Sequence, residues 1–100
     1  MNKTKFNNII ENICKENNGS VLYDGRWDGS RGQWKPILKN ALRTSSITFN
    51  EEITPIKGLS HDKDIYCFET SVTVFGRRKD LFLVRDESET TEDYAAVISI

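Results

Sequence analysis

The sequence predicts an α+β domain in which two helices pack on one face of a small antiparallel meander sheet, with residues 1–100 forming a single unit. Three observations predict it. Apolar residues recur at helical spacing near the N-terminus, a second such stripe follows a proline at mid-chain, and from Ile65 onward the period changes to two. With 100 residues, 37% hydrophobic and 29% charged, the chain supports one modest core and no second domain.

Phe6, Ile9, Ile10, Ile13 and Cys14 fall at i, i+3, i+4, i+7 and i+8, which is one side of an amphipathic helix. Thr4 serves as its expected N-cap, and Asn17, Asn18 and Gly19 supply residues that tolerate the left-handed helix end. Residues 20–23 then read as a short strand, closed by the turn formers Asp24 and Gly25. Proline is accepted only in the first turn of a helix, so Pro36 starts a second helix near Trp34 or Lys35 that runs to about Arg43. Trp34, Ile37, Leu38, Ala41 and Leu42 share its apolar face.

Residues 47–49 are strand-like, and Pro55 confines residues 53–56 to an edge or loop. Beyond Ile65, Tyr66, Phe68, Thr70, Val72 and Val74 form the expected core face of a strand, with Ile65, Cys67, Glu69, Ser71, Thr73 and Phe75 on the other face. Residues 76–80 are expected as a tight basic turn, residues 81–85 as the return strand, and residues 94–100 as a third strand after an acidic loop.

Composition excludes several classes. The longest apolar runs, such as residues 81–84 and 94–98, fall far short of the ~20 residues of a membrane span. Asn7, Asn8, Glu11 and Asn12 interrupt any signal-peptide core. Cys14 and Cys67 form neither a CxxC pair nor a disulfide framework. The expected setting is therefore cytoplasmic, without a membrane. Net charge is −1, but residues 1–50 hold eight basic and four acidic groups while residues 51–100 hold six and eleven. The chain is thus no uniformly basic nucleic-acid clamp.

Catalytic chemistry has little to work with. His61 is the single histidine, and a His61–Cys67 pair competes with the plainer reading of Cys67 as an ordinary strand residue. His61, Asp62, Asp64 and Glu69 lack metal-motif spacing, and Asp62 and Asp64 fit a turn before the strand. No phosphate-loop motif occurs. No cofactor and no metal are expected.

The unusual stretch is residues 24–35, where both tryptophans are interleaved with basic and glycine residues. Trp and Arg are frequent anchors of protein interfaces. The candidate binding residues are Arg26, Trp27, Arg31, Trp34 and Lys35, joined by Lys39 and Arg43, which continue a basic ridge every four residues along the second helix. The competing structural reading is that Trp34 closes the core while Trp27 stacks beneath an arginine.

Together these features predict a small non-enzymatic protein-binding module of the inhibitor, immunity or anti-defence type, docking on a larger enzyme. Two alternatives stand beside it. One is a single-stranded nucleic-acid binder that uses the aromatic and basic residues; the other is a small ribonuclease using His61 with Arg77, Arg78 or Arg85. A homodimer is expected if the final strand lies at a sheet edge. In element layout alone the chain resembles small phage inhibitors of uracil-DNA glycosylase, with which it shares no motif.

Overall fold

A computed structural model describes residues 1–27, 34–86 and 93–100. Helix α1 (Lys3–Asn17) is capped by Asn2, whose Oδ1 accepts a 2.8 Å hydrogen bond from the Lys5 amide. Thr4, the expected cap, lies inside the first turn, because Asn2 already satisfies a donor that the helix start leaves open. At the other end Asn18 takes φ 53° and the Gly19 amide donates to the Cys14 carbonyl at 2.9 Å.

Strand β1 (Ser20–Trp27) continues straight through the expected turn at Asp24 and Gly25, which pair with Ala96 and Ala95. Gly25 is there for a close approach. The Tyr23 ring lies over it, and a Cβ would sit 2.7 Å from the Tyr23 hydroxyl, which donates to the Arg26 carbonyl at 3.2 Å. Helix α2 (Lys35–Leu42) follows, with Trp34 at its N-cap, Pro36 in its first turn and Arg43 terminating it at φ 55°.

The remaining strands are β2 (Ile47–Phe49), β3 (Thr54–Ile56), β4 (Ile65–Val74), β5 (Arg77–Asp86) and β6 (Asp93–Ser99). All pairings in this six-stranded sheet are antiparallel, in the order β1-β6-β5-β4-β2, with β3 also on β4. β3, β4, β5 and β6 pair in sequence order, whereas β1 and β2 join the sheet out of that order. Pro55 sits in an edge strand, where its missing amide proton costs no ladder bond.

The expected basic turn over residues 76–80 shrinks to Phe75 and Gly76, with φ of 51° and 75°. Positive φ at both positions is the two-residue connection that matches strand twist. It carries Arg77 to Asp80 into β5. For a non-glycine residue such as Phe75 the conformation costs about 1–2 kcal/mol.

Two expectations are corrected by the way the layers assemble. The final strand is interior, flanked by β1 and β5, because Ala95 to Ile98 are all fully buried and a strand apolar on both sides needs neighbours and cover on both sides. The helices pack on opposite faces of the sheet. On one face Phe6, Ile10 and Ile13 of α1 meet Cys67, Val84, Ala96 and Ile98. On the other, Trp34 and Leu38 meet Val72, Leu81, Leu83 and Val97. Leu83 and Val84, adjacent in β5, therefore point to different helices. This also explains β4, where Ile65 and Cys67 are buried beneath α1 while Tyr66, expected in the core, is 46% exposed. Burying Phe6, Ile10 and Ile13 stabilises the α1 layer by roughly 1.5–3 kcal/mol per side chain.

Candidate functional site

The two tryptophans come together from different elements. Trp27 ends β1 and Trp34 caps α2, and their ring centroids lie 4.7 Å apart at 49°. Trp34 also presents an edge contact to Phe68 at 6.2 Å. Each indole is only 6% exposed. The guanidinium of Arg85 lies 4.9 Å over the Trp27 ring, so an arginine does cover Trp27, supplied by β5 from far along the chain. Arg26 is exposed on the opposite face, since neighbouring strand residues alternate. Arg31 lies outside the described residues.

Trp34 and Lys35 instead border a cleft between α2 and the β2–β3 edge, and Lys39 lies in a depression beside it. Phe49 pairs with Val72 and Thr54 with Glu69, so residues 50–53 oppose only Thr70 and Ser71 and must bulge. Buried polar groups of β4 hold the bulge down. The Asn50 amide donates to the Ser71 carbonyl at 2.9 Å, its side-chain Nδ2 to the Ser71 hydroxyl at 3.0 Å, and the Thr70 hydroxyl donates to the Glu51 carbonyl at 3.1 Å.

The bulge and the start of α2 enclose an open cavity of about 520 Å³. Trp34, Phe49 and Ile53 supply its apolar lining, Lys35 borders it from α2, and Glu51 and Glu52 border it from the bulge. The Lys35 ammonium lies 5.8 Å over the Phe49 ring. A smaller depression of about 180 Å³ adjoins it, sharing Lys35 and Phe49 and adding Lys39, Ser45 and Ile47. Arg43 is the exposed C-cap of α2, one residue beyond the helix that was expected to contain it.

Sequence reasoning missed Phe49, Ile53, Glu51 and Glu52. The available signal was the polar run of residues 50–52 between two strand-like segments; its meaning depends on a register that only pairing with β4 defines.

The titratable groups elsewhere lie in ordinary structural settings among the described residues. Burial pushes the Cys67 thiol up to about 11 and also raises that of Cys14. His61 is exposed in the loop before β4. Asp62 closes the expected turn, accepting from the Asp64 amide at 2.9 Å and pairing with Lys5 at 3.1 Å. The buried Asp86 carboxylate lies 3.8 Å from the Met1 amine. Among the described residues no group of three His, Cys, Asp or Glu is placed to hold a metal, and no helix is long and apolar enough to cross a membrane.

Chemically, the cleft is suited to binding. Its lining accepts an apolar side chain or ring, and its two borders offer opposite charges to orient one. Compared with known proteins, the chain matches no family model, no curated protein and no solved structure.

Proposed function

We propose that the protein is a non-enzymatic protein-binding module that docks on a larger enzyme, in the manner of an inhibitor, immunity or anti-defence protein. One observation carries this reading: the open apolar cleft at Trp34, Phe49 and Ile53, bordered by Lys35 on one element and by Glu51 and Glu52 on another. Interfaces place apolar contact area inside a polar rim in this way. Trp34 lines the cleft and packs on Trp27, and Lys35, Lys39 and Arg43 supply the exposed charge along α2.

The test is capture of a partner by immobilised wild-type protein and by a folded Lys35→Glu, Lys39→Glu variant, each with and without nuclease. The reading expects one nuclease-resistant protein whose retention falls at least tenfold in the variant, a loss of about 1.4 kcal/mol. Retention that vanishes with nuclease would instead favour single-stranded nucleic acid. That alternative draws on the same cations but lacks a base platform in the tryptophans, because both indoles are 6% exposed.

A further inference from the structure

The β4–β5 hairpin tip carries a large apolar side chain that the rest of the fold leaves uncovered. Phe75 is 80% exposed, against 45–48% for Val21, Tyr66 and Ile100, and it sits at φ 51°, a conformation that glycine would adopt without strain. Arg77, Arg78 and Lys79 follow it directly. We infer that the protein self-associates as a two-fold dimer in which Phe75 of each copy seats in the α2–bulge cleft of the other.

Three relationships support this occupant. The cleft volume of about 520 Å³ accommodates a phenyl ring, and its lining of Trp34, Phe49 and Ile53 is aromatic and aliphatic. The charges are complementary on one border of the cleft: the tip is basic and the bulge presents Glu51 and Glu52, while Lys35 lies on the α2 border. Arg78 already pairs with Glu51 at 3.9 Å and with Asp80 at 3.1 Å within one copy, while Arg77, Lys79 and Glu52 form no ion pair among the described residues. Finally, tip and cleft share one sheet edge. Ile47 pairs with Val74 beside the tip, and Phe49, two residues on, lines the cleft. A two-fold axis across this edge places each tip against the other's bulge and closes the assembly as a dimer. The short β2 edge, which among the described residues has no strand on its outer side, is crossed by that axis.

This inference uses the cleft but goes beyond its partner, and the two are separable by experiment. Sedimentation equilibrium of wild-type protein is expected to show a concentration-dependent dimer. Phe75→Gly relieves the backbone strain, so its monomer is expected to melt at a higher temperature than the wild-type monomer while self-association weakens at least tenfold. Glu52→Lys weakens the dimer, and adding Arg77→Glu in the same chain restores it, because identical copies then exchange complementary charges again. A wild-type chain that stays monomeric up to ~1 mM, or a Phe75→Gly chain that dimerises as tightly as wild type, overturns the inference. Partner capture by Phe75→Gly separates the two: its cleft is intact and no longer filled by a second copy, so the binding reading expects capture at or above the wild-type level, whether or not the wild-type chain dimerises.

Discussion

The indoles of Trp27 and Trp34 meet 4.7 Å apart and tie the end of β1 to the start of α2 within the α2-side core. Replacing Trp34 by Ala removes a side chain that also contacts Phe68, and the expected loss of stability is about 3–5 kcal/mol in urea denaturation. Trp27→Ala costs a comparable amount. Because the rings touch, the double variant should fall short of additivity by about 0.5–1.5 kcal/mol. Additive single effects would mean that the rings do not interact.

Cys67 faces α1 within the sheet, where burial pushes its thiol up to about 11 and leaves little reactive thiolate at pH 8. Alkylation of native Cys67 should therefore be far slower than in denaturant. Cys14, less deeply buried, should react first. Mass-spectrometric mapping of modification against time checks both the rate and the order.

Asp62 is held below the usual carboxylate range, first by its hydrogen bond from the Asp64 amide and then by Lys5. A carboxyl lowered on folding contributes stability that is present above its unfolded value of about 3.9 and is lost as pH falls through the folded value. Asp62→Asn keeps an oxygen for the Asp64 amide but loses the ion pair. It should be less stable than wild type at pH 7, and the difference should close toward pH 2 in parallel urea titrations.

Asn50 anchors the bulge through the buried Ser71 and accepts from the Thr73 hydroxyl at 3.0 Å. Asn50→Ala strands the Ser71 hydroxyl, at an expected cost of about 1–3 kcal/mol. Amide hydrogen exchange should accelerate over residues 50–54 and stay unchanged in β6, where Ala95 to Ile98 are fully buried. Slow exchange preserved in the bulge would show that backbone pairing alone holds it.

Local sequence determined the elements. The spacing of Phe6, Ile10 and Ile13 specifies α1, Pro36 and Leu38 specify the start and inner face of α2, and alternation over residues 65–74 specifies β4, because each signal is contained within one segment. Part of the cleft was legible in the same way: Trp34, Lys35 and Lys39 stand out where aromatic and basic residues gather.

Tertiary structure decided what covers what. Periodicity says which residues of a segment share a side but not which element lies against that side, so α1 and α2, expected on one face, occupy two. The apolar run of residues 95–98 is compatible with several positions in a sheet, and its interior place follows from pairing with β1, distant in sequence, on the side away from β5. Arg85 over Trp27, and the bulge that brings Phe49, Glu52 and Ile53 to α2, have the same origin: both arise from register between strands, a non-local quantity set by burying both faces of the sheet at once.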